Sequence, residues 1–95
     1  MDFPNLQDDQ HAVLTVEVST GIVLRHDRQW FIGSGETWRV FESLTAAREF
    51  AIAEVAAHPT FECAIFKGQD QQIQTVRNEE HVAALLAASR TKRKI

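Results

Sequence analysis

Apolar and polar residues alternate along short stretches of this 95-residue chain, and a period of two indicates strands that each bury one face. Over residues 12–18 every second residue is apolar, and Val13 alone breaks the alternation. Gly21 then supplies the positive φ angle that a tight turn favours, and a second short strand is predicted over residues 22–24. The chain therefore begins, after a polar start, with a predicted hairpin.

Four more short strands are predicted further along. Residues 30–32 and 37–41 flank a turn at Gly33-Ser34-Gly35. Residues 61–67 are apolar on both faces, which is typical of a central strand. Residues 71–77 are mostly polar, which suits an edge strand exposed to water.

Two helices complete the pattern. Ser43 is a good N-cap for an alanine-rich helix over residues 44–57, and His58-Pro59 ends it because the residue before proline disfavours helical geometry. Asn78 caps a last helix, whose acidic first turn complements the positive helix start. Its predicted inner face consists of Val82, Leu85, Leu86 and Ser89.

This order of elements predicts an α+β fold: a twisted, mostly antiparallel sheet of about five to six short strands with two helices packed on one face. The length fits a single domain over residues 1–95. Residues 1–10 are predicted to form a loose N-terminal arm, which Phe3 and Leu6 are able to hold down, and residues 90–95 a basic flexible tail.

The composition, 44% hydrophobic and 24% charged, is that of an ordinary globular domain. No apolar run approaches the roughly 20 residues of a membrane helix. Asp2, Asp8 and Asp9 lie where a secretory signal needs positive charge followed by an apolar block. We therefore expect a cytoplasmic protein with no membrane contact. The single Cys63 cannot form an internal disulfide, so packing must provide the stability.

The net charge of −3 hides an asymmetry, because four of the ten basic residues lie among the last six positions. Residues 1–89 therefore carry 13 acidic and 6 basic side chains, a net charge of −7. Such a body repels nucleic acid and suits a basic protein partner, although solubility alone also accounts for an acidic surface. The basic end is explained by the preference of lysine and arginine for helix C-termini.

The glycines and histidines of this chain do not form a recognisable phosphate-binding or metal-binding site. The Gly33-Ser34-Gly35 segment has neither the following helix nor the lysine of a phosphate loop, which favours a turn. The histidines fall in four different elements without metal-ligand spacing, so neither a metal nor a cofactor is expected. They are His11, His26, His58 and His81.

Catalysis is not predicted either. Cys63 follows His58 by five residues, but it lies in the middle of an apolar strand, where a thiol is buried and unreactive. His26 and Asp27 are adjacent without an identifiable nucleophile to serve. A small enzyme that uses His26, Asp27 or Cys63 remains an alternative hypothesis.

Both tryptophans lie beside the Gly33-Ser34-Gly35 turn. The apolar neighbours of Trp30 and Trp38 in their strands favour core positions, since large aromatic side chains are mostly buried. Tryptophan is also enriched in binding hot spots. Any exposed edge of either ring is therefore the first place to expect a partner.

A longer pattern runs from Trp-Arg-Val-Phe-Glu-Ser-Leu-Thr-Ala-Ala-Arg-Glu-Phe-Ala at 38–51 through His-Pro-Thr at 58–60 into Phe-Glu-Cys-Ala-Ile-Phe at 61–66. It resembles small bacterial proteins in which a strand leads through Ser-Leu into an alanine-rich helix, then through an x-Pro turn into a strand. Some of these are similar to immunity proteins of bacterial toxin systems, including contact-dependent growth inhibition. The similarity covers residues 30–67.

The resemblance implies a non-catalytic protein that binds and blocks a cognate toxin, such as a basic nuclease domain. The acidic composition of the body agrees with this implication. The candidate contact residues are acidic positions in turns and helix starts together with one aromatic anchor: Trp30, Glu36, Asp70, Glu79 and Glu80. An interaction module or homodimer that pairs through the edge strand at 71–77 is the main alternative.

Overall fold

The computed structural model describes the backbone of residues 2–33 and 35–93 and the side chains up to residue 88. The elements follow one another as β1 (His11–Glu17), β2 (Trp38–Phe41), α1 (Leu44–Ala57), β3 (Phe61–Gly68), β4 (Gln71–Arg77) and α2 (Glu79–Arg93). The α+β class is confirmed. The start and end of α1 are also those predicted from the sequence.

The sheet contains four strands in the order β2-β1-β3-β4, and each neighbouring pair is antiparallel. The apolar β3 is a central strand and the polar β4 an edge strand, as their compositions predicted. The short β2 forms the opposite edge. Two register shifts interrupt the pairing of β3 with β4, between Ile65 and Phe66 and between Phe66 and Gly68.

The prediction of five to six strands is wrong, because the described residues form four. Residues 22–24 and 30–32 form isolated bridges and not strands, among them Val16 with Val23 and Leu24 with Trp30. Each segment is too short to continue its pairing before the next turn. The two segments instead belong to a long connection between β1 and β2. A strand does follow Gly33 and Gly35, and both glycines have positive φ angles, whereas Ser34 lies outside the described residues.

The predicted buried face of β1 is also corrected by the structure. The face toward α1 carries His11, Val13 and Thr15, so Val13 is a central core residue and not an exception. Leu14 lies on the opposite face and is only half-buried. The reason is that β1 is flanked by strands on both sides and covered on both faces, which removes the simple alternation.

Helix α1 packs against the sheet through small residues. The Ser43 hydroxyl accepts a hydrogen bond from the Ala46 N–H at 3.1 Å and begins the helix. Ala47 and Ala51 have no exposed surface, so the helix backbone approaches the sheet closely. The main core consists of Val13, Ala47, Ala51, Val55, Cys63 and Ile65.

In the described part of the chain, helix α2 makes no extensive contact with α1 or the sheet, so the prediction of two helices packed on one face holds for α1 and not for α2. Asn78 Oδ1 accepts from the His81 N–H at 2.8 Å, as predicted for the N-cap. The helix then leaves the end of β4 without a turn that folds it back, and the described part of the chain shows no element packed extensively against it. The molecule is consequently elongated, 51 × 29 × 24 Å.

The predicted inner face of α2 is therefore only partly covered. Val82 and Leu85 are half-buried, and Leu86 is 54% exposed. The helical backbone continues to Arg93. The side chain of Ser89 and residues 94–95 of the predicted tail lie outside the described residues.

Candidate functional site

The face of the sheet opposite α1 carries a cluster of three aromatic rings. Trp38 comes from β2, Phe66 from β3 and Phe3 from the N-terminal arm. The Phe3 and Trp38 ring centroids are 4.9 Å apart, and those of Trp38 and Phe66 are 5.1 Å apart, both edge to face. Each such pair is worth about 0.5–1.5 kcal/mol beyond the area it buries. These contacts hold the start of the arm on the sheet.

Further along, polar contacts fix the arm to the rest of the domain. Lys67 Nζ donates a hydrogen bond to the Asp8 carbonyl oxygen. His11 Nδ1 lies 2.8 Å from the Asp9 carbonyl oxygen. Gln10 Nε2 donates to Glu42 Oε1 at 3.0 Å. The arm therefore belongs to the surface that the aromatic cluster forms.

Acidic side chains border this cluster. Glu36 and Asp2 line a depression of about 330 Å³ beside Trp38. Asp70 lines a second depression, of about 260 Å³, that includes Trp38, Phe3 and Phe66. All three acidic residues are exposed. We name this surface, formed by Phe3, Trp38, Phe66, Asp2, Glu36 and Asp70, the acid-rimmed face.

Among the described residues, the carboxylates of the acid-rimmed face form no salt bridge with a basic side chain. Arg25 pairs with Asp27 at 3.0 Å, Arg28 with Glu54 at 2.8 Å, and Arg77 with Glu62 and Glu79 at 3.8 and 3.2 Å. Arg39, Arg48 and Lys67 contact Phe50, Gln74 and the Asp8 carbonyl oxygen. Among the described residues, Asp2, Glu36 and Asp70 have no salt bridge, so their charges face solvent.

Trp38 has one further property that bears on this face. Its Nε1 atom is enclosed and finds no hydrogen-bond partner in the described part of the chain. Most buried donors are paired, so this indole contributes apolar contact without the hydrogen bond that usually accompanies it. The Trp38 ring therefore provides an apolar surface against which Phe3 and Phe66 pack.

Trp30 lies elsewhere, in the connection between β1 and β2. It is 45% exposed, so its predicted core position is wrong. Its Nε1 donates to Glu17 Oε2 at 3.2 Å, while Glu17 Oε1 accepts from the hydroxyl groups of Ser19 and Thr20 at 3.3 and 3.1 Å. Glu17 thus fixes the tryptophan and the preceding turn together.

Glu79 and Glu80 occupy a third location, at the base of α2. Glu79 accepts from Arg77 Nε at 3.2 Å, and both glutamates border an open groove lined by Ile52, Val55 and Val76. The five predicted contact residues therefore do not form one surface. Glu36 and Asp70 alone share the acid-rimmed face.

The sequence analysis named Phe3 as a residue able to hold down the arm, but it did not identify Phe3, Phe66 or Asp2 as parts of a binding surface. Phe66 was predicted to lie on one face of a central strand, but the sequence did not show which element covers that face. The available signal was Phe3, an aromatic side chain beside Pro4 in an otherwise polar arm. An aromatic residue in such a segment is a candidate for docking onto the domain.

The candidate catalytic residues have structural partners. Cys63 is buried with its Sγ 3.5 Å from Thr15 Oγ1, and desolvation raises the pKa of the thiol above its ordinary value. His26 Nε2 lies 2.8 Å from the Trp38 carbonyl oxygen, and Asp27 pairs with Arg25. His58 stacks on the Phe61 ring with centroids 4.8 Å apart.

Within the described ranges, no group of three or more His, Cys, Asp or Glu side chains is placed to hold a metal ion. None of the helices in this part of the chain is both long and apolar enough to cross a membrane. No protein-family model, curated protein or solved structure matches the chain. A function is therefore inferred from the surface itself.

Proposed function

We propose that this protein is a non-catalytic immunity protein that binds a cognate basic toxin, such as a nuclease domain, and blocks it. The observation that carries the proposal is the acid-rimmed face. It combines an aromatic cluster with three exposed carboxylates that form no salt bridge with a described basic side chain.

The two kinds of residue have separate physical roles. Exposed carboxylates steer a basic partner toward the face and accelerate association, an effect that salt weakens. Once the partner is in contact, the aromatic rings provide apolar area that excludes water, as hot-spot residues do. A carboxylate placed against a phosphate-binding groove also competes with nucleic acid for the same basic side chains. Inhibition of this kind is stoichiometric and requires no turnover.

A standard interface buries about 800 Å² on each partner. The described chain exposes 6326 Å², so a standard interface takes roughly an eighth of the surface. The proposed complex therefore requires the sheet face and its covering arm to supply an area of that order.

The test is co-expression with the toxin domain that we expect the adjacent gene to encode. The wild-type chain is expected to protect cells from this domain and to co-purify with it in a one-to-one complex. A double variant, Glu36→Gln with Asp70→Asn, removes two rim charges and keeps both side-chain shapes. We expect it to associate roughly tenfold more slowly at low salt and to protect poorly.

The matched control is Glu49→Gln, which neutralises an exposed carboxylate on α1. We expect this variant to protect as the wild type does. Full protection by the double variant would exclude the acid-rimmed face as the binding surface. Failure of the wild type to bind or to protect would refute the proposed function.

A further inference from the structure

Helix α2 is an amphipathic element whose apolar side is only partly covered by the described part of its own domain. Its 15 residues extend for about 22 Å. Val82, Leu85 and Leu86 follow helical spacing and therefore lie on one side. Isolated helices of about 12–15 residues are marginal in water and depend on tertiary packing of such a side. The apolar side of α2 therefore needs a partner surface.

A complementary apolar surface lies at the base of this helix. The outer side of α1 and the start of α2 enclose an open groove of about 430 Å³, floored by Val55 and Val76. Ile52 lies in this groove and is 59% exposed. The described part of the chain thus carries both a helix side with incompletely covered apolar residues and an open groove with an apolar floor and a polar border.

The distribution of charge along the chain indicates which partner covers the apolar side of α2 and the groove at its base. Helix α2 begins with Glu79 and Glu80 and ends, in the sequence, with Arg90, Lys92 and Arg93. Residues 1–89 carry a net charge of −7, whereas the sequence at the end of α2 is basic. The acidic body and acidic helix start of a second copy match that basic end. An antiparallel pair of α2 helices places unlike charges side by side.

We propose that α2 is a self-association helix, and that its occupant is a second copy of this chain. The apolar side of each α2 packs against the other copy's α2 and the groove around Ile52. Such a two-fold arrangement uses the same patch on both copies. It leaves the acid-rimmed face uncovered, so the inference is independent of the proposed function.

The expected dimer is weak. Two helix sides, each about 22 Å long and about 10 Å wide, cover roughly 440 Å², or roughly 880 Å² when the surfaces that they meet are counted as well. This area lies below the usual range for stable complexes, about 1,200–2,000 Å². The association is therefore expected to depend on protein concentration.

The exposed strand edge is a less suitable surface. Two register shifts distort the pairing of β4 with β3, and its side chains are mostly polar. Irregularities and polar side chains of this kind protect edges against pairing. Ile73 on β4 is nevertheless 49% exposed, close to the exposure of Leu86, and it offers a matched control.

The experiment is sedimentation equilibrium of the full chain over a range of concentrations, without any partner. The wild type is expected to show a monomer–dimer equilibrium. Leu86→Glu and Ile52→Glu are each expected to raise the dissociation constant at least tenfold, because a carboxylate would be buried in the interface. Ile73→Glu is expected to leave it unchanged. Circular dichroism establishes that each variant remains folded.

A wild-type monomer at every soluble concentration would overturn the inference. So would a dimer that survives Leu86→Glu and is lost with Ile73→Glu, since that result assigns the contact to the strand edge. A monomer whose binding to the adjacent-gene toxin domain is abolished by Leu86→Glu would place that partner on α2 and exclude the second copy. Loss of the dimer with intact toxin binding would support the inference and leave the proposed function standing.

Discussion

Arg28 forms two hydrogen bonds with the carboxylate of Glu54, from Nε to Oε2 at 3.0 Å and from Nη2 to Oε1 at 2.8 Å. Glu54 lies on α1 and is only 6% exposed. Arg28 belongs to the connection between β1 and β2 and has a positive φ angle of 65°. Hydrogen bonding to Glu54 raises the pKa of the guanidinium above its ordinary value. The pair fastens this connection to the helix.

Replacing Arg28 with methionine should leave the Glu54 carboxylate buried without its partner. Because Arg28 is half-exposed and admits water, we expect the free energy of unfolding to fall, but by less than it does when a fully buried pair is broken. Urea denaturation measures the change. The double variant Arg28→Met with Glu54→Leu should recover most of it. An unchanged free energy of unfolding for Arg28→Met would show that the pair behaves as an ordinary surface contact.

Burial of Cys63 makes the free energy of unfolding fall with rising pH in the alkaline range. Burial raises the pKa of the thiol in the folded state, so its contribution is fully present below the ordinary value of about 8.5. As pH rises above that value, the unfolded chain loses its proton first, and the free energy of unfolding falls. We expect the difference between the wild type and Cys63→Ala to shrink between neutral and alkaline pH in urea denaturation. A constant difference would contradict a buried thiol.

The ring contacts of Phe3 should be visible in tryptophan fluorescence. In a Trp30→Phe background Trp38 is the remaining tryptophan, and removing the Phe3 ring should expose it to water. Phe3→Ala is expected to shift the emission to longer wavelength and to destabilise the protein by about 1–2 kcal/mol. Asn5→Ala alters an exposed residue of the same arm and should change neither. An unchanged spectrum for Phe3→Ala would show that the arm does not cover Trp38 in solution.

Substitutions at Asp70 distinguish the effect of its backbone conformation on stability from the effect of its charge. Asp70 has a φ angle of 62°, a conformation that glycine, asparagine and aspartate adopt more readily than other residues. We expect Asp70→Asn to keep wild-type stability, Asp70→Gly to equal or exceed it, and Asp70→Ala to lose about 1 kcal/mol. Thermal unfolding gives the order. Equal stability of the alanine and glycine variants would mean that the turn adopts another conformation.

Features encoded by neighbouring residues were predictable from the sequence. Ser43 and Asn78 were identified as N-caps, and both accept the expected hydrogen bond from the residue three positions on. The apolar and polar compositions of residues 61–67 and 71–77 also distinguished the central strand from the edge. In each case the relevant physics acts within one element or one turn.

Features that depend on distant contacts were not predictable. The burial of Val13 follows from β1 having strands on both sides. The pairing of Arg28 with Glu54 joins residues 26 positions apart. The aromatic cluster requires the arm to cross the sheet, and the exposure of α2 depends on the direction in which the chain leaves β4. Hydrophobic spacing alone indicates that a helix has an inner face, but not whether anything packs against it.

The most direct test of the acid-rimmed face is a calorimetric titration with the toxin domain that, under the proposed function, we expect the adjacent gene to encode. We expect one-to-one binding by the wild type and by Glu49→Gln, and binding weakened at least tenfold in the variant that combines Glu36→Gln with Asp70→Asn. Equal affinities for all three proteins, or no binding by the wild type, would contradict the assignment of this face as the toxin-binding surface.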